Sequence, residues 1–232
     1  MPASPKVGMR ICLMHKWCHS PGCSERAATR YGNYCSKHAS AKRRHGDSLQ
    51  KGVTKSDLKP YIELIQERRA KHPEKKAWIS MEERWKAQVE ICVGIANDHG
   101  PMNKYKRIAA KEIVKVGHNV EHKTVVDTVL AMYLLQELES RRFRSDLAFW
   151  TQLVRRVRGL TELNSGMWVD PKTLRRKTAA MELCPRAAEA MVFYIKQALG
   201  VCGLWLAAFE RKEEERRRQD ALNFFAELKE LA

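Results

Sequence analysis

Several patterns that mark exported proteins and common enzymes are missing from this sequence of 232 residues. Its start, MPASPKVGMRICLMHKW, holds no apolar run long enough for a secretory signal. We therefore expect a cytoplasmic protein, in the host cytoplasm if a phage encodes it. No GxxxxGK(S/T) phosphate loop, HExxH pair or GxSxG nucleophile elbow occurs. These absences favour a protein that is not an enzyme.

Cysteine is scarce outside one stretch. Of the seven cysteines, Cys92, Cys184 and Cys202 lie singly in apolar, helix-like segments, as buried reduced thiols do. An odd number of cysteines in an intracellular protein argues against a disulfide framework. The apolar stretch 190–209 approaches the length of a membrane span, but a lysine and a glutamine lie at its centre. We expect it to be a core helix and expect no membrane partner.

Positive charge is what the sequence holds in excess. It has 43 Lys and Arg against 27 Asp and Glu, a net charge of +16. Residues 1–76 carry 17 basic and 6 acidic residues, whereas residues 77–232 carry 26 and 21. The excess is larger than solubility requires, and it indicates a surface that binds a polyanion.

After residue 51 the chain reads almost entirely as helices. The segment GVTKSDLKP, punctuated by Gly52 and Pro60, is expected to be a connector. Apolar residues at helical spacing then predict helices over about 61–72, 81–97, 104–116, 123–142, 145–158 and 171–183, and a long apolar one from 185. Alternating strands are not evident there, so we expect a mainly α fold.

Capping signals place the ends of these helices. Ser80 with Glu83 forms a capping-box pattern, and Ser145 is an N-cap candidate. Gly117 is expected to end the helix before it. Asp170–Pro171 is expected to open a helix, with a loop from 159 to 170 before it.

One short stretch, CHSPGCSERAATRYGNYCSKH, has the spacing of a metal site. Cys18 and Cys23 flank a Pro-Gly turn that can aim two thiolates at one point. Cys35 and His38 are three residues apart, on one side of a helical first turn. These four side chains predict a closed, tetrahedral, structural Zn²⁺ site with no open position for water.

Other ligands compete for this site. Cys12, His15 and His19 lie close enough in sequence to replace one of the four or to orient it. The sequence leaves that choice open. The alternative that these are ordinary buried cysteines is weaker, because two ligand pairs at metal-like spacing rarely arise from packing alone.

The order CHSPGC, YCSKH and KRRHGD resembles the small zinc modules found in proteins of bacteriophages and mobile elements, some of them attached to HNH-type homing endonucleases. The resemblance covers about residues 18–47. It implies a treble-clef-like zinc fold that contacts nucleic acid. It does not extend beyond residue 51, so it assigns no activity to the whole chain.

Two basic clusters are the candidate nucleic-acid contacts: Lys42, Arg43, Arg44 and His45 after the last proposed ligand, and Arg175, Arg176 and Lys177 on the helix predicted from 171. A zinc module that holds the first cluster rigidly would present it to phosphates at a low cost in ordering entropy. Further arginines, at 141, 142, 144, 155, 156 and 158, fit binding and a solvated helix face equally well.

Two segments suggest other activities. GHNVEH, at 117–122, offers two histidines and an asparagine to an HNH nuclease, but no strand pair surrounds it, and we expect a polar turn between helices. The segment 109–130 can be aligned with a helix–turn–helix around Gly117, but its second helix becomes apolar almost at once.

These observations predict three parts: a zinc-binding basic module (1–51), a helical domain (52–209) and an amphipathic C-terminal helix (210–232). We expect a non-enzymatic nucleic-acid-binding protein of phage or mobile-element type, with DNA favoured over RNA. The alternative is a regulator or inhibitor that docks on a protein such as a host polymerase or defence complex, with the C-terminal helix pairing with that partner or with itself. A third is an HNH-like nuclease.

Overall fold

A computed structural model describes residues 16–230, which are mainly helical. The helices are α1 Ser36–His45, α2 Lys55–Lys71, α3 Lys76–Asn97, α4 Lys104–Asn119, α5 His122–Leu138, α6 Asp146–Arg158, α7 Pro185–Ile195 and α8 Val201–Glu230. A π-helical turn, Lys196–Gly200, joins α7 to α8. The expectation of a mainly α protein is confirmed.

Helix α5 forms the centre of the bundle. Eleven of its seventeen residues are buried, among them Leu130 and Leu134. Helices α2, α3, α6 and α8 pack against it, and α4 lies against α3 and α7. A helix that is apolar on nearly every side belongs inside a bundle, as its sequence predicts.

The predicted connector before α2 is in part wrong, because α2 begins at Lys55 and includes Pro60. Thr54 and Asp57 cap each other: the Asp57 backbone N–H donates to Thr54 Oγ1 (3.1 Å), and the Thr54 N–H donates to the Asp57 carboxylate (2.8 Å). This reciprocal cap fixes the start of the helix despite the hydrogen bond that Pro60 removes.

The predicted start of α3 at Met81, with Ser80 as its N-cap, is also wrong. The helix begins at Lys76, so Ser80 lies inside it. Trp78 is buried in the first turn, and the Arg69 guanidinium lies 4.7 Å from the centre of its ring. Burying this indole in the bundle places the start of the helix before it.

Gly117 does not end α4, contrary to the prediction. Helix α4 continues to Asn119, and a side chain at Gly117 would place its Cβ 2.5 Å from Val89 Cγ2 of α3. The glycine therefore allows two helices to approach closely. The predicted N-cap at Ser145 is confirmed, since its hydroxyl accepts a hydrogen bond from the Ala148 N–H (3.1 Å).

The segment expected to be a loop and then a helix is instead a β-hairpin. Strand β1, Ser165–Val169, pairs antiparallel with β2, Arg176–Ala180. Asp170 and the proline after it open the connecting turn rather than a helix: the Asp170 carboxylate accepts from the Lys172 N–H (3.0 Å). Leu174 then takes a left-handed backbone (φ 53°), which ends any helical path.

The long apolar helix that begins at Pro185 packs into the core with only one of its faces. Met191, Ile195 and Leu199 are fully buried. On its other face Leu204 and Trp205 are 63% and 67% exposed. By length and composition the continuous helix Pro185–Glu227 meets the criteria for crossing a membrane, which core helices of soluble proteins also meet.

Candidate metal centre and basic cleft

The first two proposed ligands lie on a tight turn. Trp17 and Arg26 form an antiparallel bridge that closes it, and the Cys18 N–H donates to the Glu25 carbonyl (2.9 Å). Inside the turn the Cys23 N–H donates to the Ser20 carbonyl (3.1 Å). This backbone pattern aims both thiols toward one side, as the Pro-Gly spacing predicts.

The other two ligands lie at the start of α1. Cys35 is the N-cap residue and His38 follows in the first turn. His38 Nδ1 lies 3.3 Å from Cys35 Sγ and 3.4 Å from Cys18 Sγ, and the Sγ atoms of Cys23 and Cys35 are 4.0 Å apart. All four ligand atoms lie within 4.8 Å of one another, close enough to hold one metal ion.

These distances fit a tetrahedral site. Zinc bonds of about 2.3 Å to sulfur and about 2.0 Å to nitrogen give edges of about 3.8 Å between sulfurs and about 3.5 Å between sulfur and nitrogen. The separation of 4.0 Å between the two sulfurs is far longer than a disulfide bond of about 2.05 Å, and the cysteines are free. The four side chains therefore need no large movement to bind an ion.

The thiols of this cluster differ in acidity. Burial opposes ionisation of Cys18, but hydrogen bonds from backbone N–H groups and the contact with His38 outweigh it, and its pKa is lowered to about 6. At Cys35 a hydrogen bond from the His38 backbone favours the thiolate, but burial, Glu25 and the two neighbouring thiols raise the pKa to about 11. A cation bound among them removes the conflict, because it stabilises all the thiolates together.

The competing ligands are partly placed by the structure. His19 is exposed and makes an edge contact with the Tyr34 ring, so it lies outside the four-residue group. Cys12 and His15 lie outside the described residues. Within residues 16–230, Cys18, Cys23, Cys35 and His38 are the group of histidine, cysteine and acidic side chains that lies close enough together to hold a metal ion.

Helix α1 carries the first basic cluster from the metal site to the helical body. Lys42 Nζ lies 4.7 Å from the centre of the Tyr34 ring, while Arg43 and Arg44 reach toward Glu182. His45 is half-buried instead. Its Nδ1 accepts a hydrogen bond from Gln152 (3.0 Å), and burial, with nearby arginines adding to it, lowers its pKa. His45 therefore helps to pack α1 against α6. Its contact with nucleic acid stays a prediction.

Helix α1 ends in close contact with α6. Gly46 has a left-handed backbone (φ 85°), and a side chain there would place Cβ 2.6 Å from the Leu147 carbonyl oxygen. Next to it, the Gln152 side chain accepts from the Val53 N–H (3.0 Å). The glycine of the RRHGD motif thus lets the metal-binding segment sit directly on the start of α6.

A cleft of about 1110 Å³ opens between α1, α6 and the start of α7. This exceeds the range of about 300–1,000 Å³ that is typical of small-molecule pockets. Burial lowers the pKa of Arg155 and Arg156, and neighbouring arginines lower it further, so positive charge is crowded here. The lining includes nine basic residues (Lys42, Arg43, Arg44, Lys55, Arg155, Arg156, Arg158, Arg186 and Lys196) and three acidic ones (Glu162, Glu182 and Glu189).

The second predicted cluster lies elsewhere. Arg175, Arg176 and Lys177 are exposed on the β-hairpin, and none of them lines the cleft. Lys177 pairs with Asp170 across the hairpin. The structure therefore does not bring the two predicted clusters together, and it adds basic residues of α2 and α7 that no sequence signal marked.

The two alternative motifs occupy helices. GHNVEH forms the end of α4 and the start of α5, which is the polar turn that the sequence predicts. Because most of α5 is buried, it has no long exposed face with which to read a DNA groove.

No protein-family model, curated protein or solved structure matches the chain. The metal centre and the cleft are therefore interpreted from their own geometry and chemistry. The two features are adjacent because α1 connects them. Two of the four proposed ligands lie at the start of this helix, and the cleft residues Arg43 and Arg44 lie in its last turn.

Proposed function

We propose that this chain is a non-enzymatic nucleic-acid-binding protein of phage or mobile-element type that binds phosphates in the basic cleft. The observation that carries the proposal is the excess of basic over acidic side chains lining one large cleft. Such a surface attracts a polyanion and releases its counterions on binding. DNA is favoured over RNA because some of the zinc modules that residues 18–47 resemble are attached to HNH-type homing endonucleases.

The metal in this proposal is one structural Zn²⁺. Three thiolates and one imidazole are ligands that zinc accepts in closed four-coordinate sites. Cys18, Cys23, Cys35 and His38 would hold it and so join the N-terminal turn to the first turn of α1. A turn with two ligands followed by a helix with two more supports a treble-clef-like module, and the closed site supports a role in folding rather than catalysis.

The module and α6 divide the binding role between them. Arg43 and Arg44 occupy the last turn of α1, whereas Arg155 and Arg156 occupy the last turn of α6. Arg155 also donates a hydrogen bond to the Arg44 carbonyl (3.1 Å), which ties the two helices together. Phosphate contacts held on two joined helices lose little conformational entropy when a strand binds.

The test is a triple change, Lys42, Arg43 and Arg44 to Ala, with binding to a labelled DNA duplex measured by fluorescence anisotropy over a salt series. We expect weaker binding and a salt dependence flatter by about one unit of slope for each phosphate contact removed. The stability of the fold should change by less than about 0.5 kcal/mol, because these side chains are exposed.

The matched control is the same change at Arg175, Arg176 and Lys177, which removes equal charge from the hairpin. A larger loss there would move the binding surface from the cleft to the hairpin. A series with matching RNA duplexes and single strands then decides which nucleic acid is preferred. If neither triple change alters binding, the proposal is wrong.

A second function, that of a protein-binding regulator, is supported by the exposed apolar face of α8. Leu204 and Trp205 near its start, and Leu222 and Phe225 near its end, are all more than half exposed. Exposed apolar patches of this kind mark contacts with other proteins. A complex with a protein partner that survives high salt would favour this function over nucleic-acid binding.

A further inference from the structure

One acidic side chain in the cleft is surrounded by arginines. The Glu182 carboxylate lies 2.6 Å from Arg44 Nε, 3.2 Å from Arg43 Nε and 3.9 Å from Arg155 Nη1. These arginines come from two helices, α1 and α6. They converge on a single anionic group.

The charges at this point do not balance. Three guanidinium groups face one carboxylate, and burial together with the positive charge of Arg44 and Arg158 lowers the pKa of Arg155 against the opposing effect of Glu182. Arginine pairs with carboxylates and phosphates through the same geometry. The site therefore suits an oxyanion, and its net charge is positive even with Glu182 in place.

Glu182 is able to leave without disturbing the fold around it. It lies in the irregular segment between β2 and α7, outside any helix or strand. The backbone next to it is anchored separately, because the Met181 N–H donates to the Asn164 carbonyl (2.7 Å) and the Met181 carbonyl accepts from Arg158 (2.7 Å). Only the Glu182 side chain has to swing away.

We propose that Arg43, Arg44 and Arg155 form a phosphate-binding site, which Glu182 fills in the free protein and a nucleic-acid backbone phosphate takes over on binding. This inference rests on the proposed function and adds a competing group to it. A phosphodiester carries one negative charge, as the carboxylate does, so the exchange replaces one anion with another. Glu182 accordingly weakens binding and favours strands that supply phosphates at the correct spacing.

The experiment is Glu182→Gln, with Glu189→Gln as the matched control. Both changes remove one negative charge from the cleft lining, but only Glu182 contacts the arginines. We expect Glu182→Gln to bind a labelled DNA duplex about fivefold more tightly than the wild type, since exposed ion pairs contribute modestly. Its salt dependence should be steeper by about one unit of slope, and Glu189→Gln should show a smaller gain.

A double-mutant cycle tests whether the increase in DNA affinity on Glu182→Gln depends on Arg43 and Arg44. When Arg43 and Arg44 are both changed to Ala, adding Glu182→Gln should increase affinity less than it does in the wild type. An equal gain in both backgrounds would show that the effect is only the general charge of the cleft, and it would overturn the inference. So would a Glu182→Gln variant that binds no more tightly than Glu189→Gln.

Two competitor probes identify the ligand chemistry. Inorganic phosphate should displace DNA from Glu182→Gln only at concentrations far above those of an unlabelled oligonucleotide, because a strand supplies several phosphates at once. Polyglutamate that competes as well as the oligonucleotide would overturn the phosphate assignment in favour of an acidic protein.

The same assay separates this inference from the proposed function. Wild-type binding with no advantage for Glu182→Gln overturns the inference alone. DNA binding by Glu182→Gln in the absence of wild-type binding supports the inference strongly. Binding by neither protein at low salt overturns the proposed function, and the inference with it.

Discussion

The N-terminal segment 16–51 and the helical body are held together by different means. In the segment, the buried hydrophobic residues are the proposed ligands Cys18 and Cys35. In the body, a continuous cluster of buried residues runs from α2 to α8 and includes Trp85, Phe149 and Leu130. A segment this short buries too little apolar surface to fold alone, so we expect the proposed metal to supply the stabilisation that the core supplies in the body.

The contact between the two regions is mostly polar. The Gln152 side chain donates to His45 Nδ1, and the Gln50 side chain bonds to the backbone of Arg142 and Arg144. Such a contact positions the segment without merging the two cores. The position of the segment and its stability therefore depend on different contacts, and three substitutions can test this.

The largest effect is expected from loss of the metal. Cys23→Ser removes one of four ligands, and structural zinc contributes about 10–16 kcal/mol to the folding of small zinc domains. We expect the variant to lose zinc and the segment 16–51 to lose its hydrogen-exchange protection, while the body keeps its helical circular dichroism. Metal analysis and hydrogen exchange measure both.

The control for this change is Cys184→Ser, which alters an exposed cysteine outside the metal-binding group. It should retain one zinc per chain. Native protein prepared without chelators that contains no zinc would contradict the proposed metal, and unfolding of the whole body in Cys23→Ser would contradict the separation of the two regions.

The next effect is expected in the body. Trp85 is fully buried in α3, and truncation of a buried aromatic side chain costs about 3–5 kcal/mol. We expect Trp85→Ala to lower the free energy of unfolding by that amount in urea titrations followed by circular dichroism. Below the unfolding transition the variant should still bind zinc in the wild-type ratio. Loss of zinc from the folded variant would show that the two regions form one cooperative unit.

The smallest effect is expected at the junction. Gly46→Ala would put a Cβ on a residue with a left-handed backbone and would place it against the α6 backbone. Gly22→Ala would also put a Cβ on a left-handed residue (φ 73°), but nothing lies within 4 Å of it. The strain alone costs about 1–2 kcal/mol. We expect Gly46→Ala to destabilise more than Gly22→Ala and to increase hydrogen exchange at the start of α6. Equal effects would mean that the close approach contributes nothing.

Features that depend on neighbouring residues could be predicted from the sequence. The four candidate ligands lie within about twenty residues, and their spacing alone was enough to group them. The Ser145 cap and the central position of α5 follow equally from short patterns. The hairpin 165–180 was missed because Asp-Pro opens a turn as readily as a helix, and the positive φ of Leu174 leaves no mark in the sequence.

The cleft was beyond prediction for a different reason. The sequence pattern at Arg155 and Arg156 fits a solvated helix face as well as a binding surface, and no pattern marks Arg186 or Lys196. Glu182 and Arg44 are 138 residues apart in the chain, and only the packing of α1 on α6 and the return of the chain from the hairpin bring them together.

Composition and residues within a few turns of one another are enough to predict the Cys/His group, most of the helices and the excess of positive charge. Tertiary packing sets which arginines share a cleft, which carboxylate lies among them and which glycine permits the contact. Long-range packing sets those distances, and no local pattern encodes them.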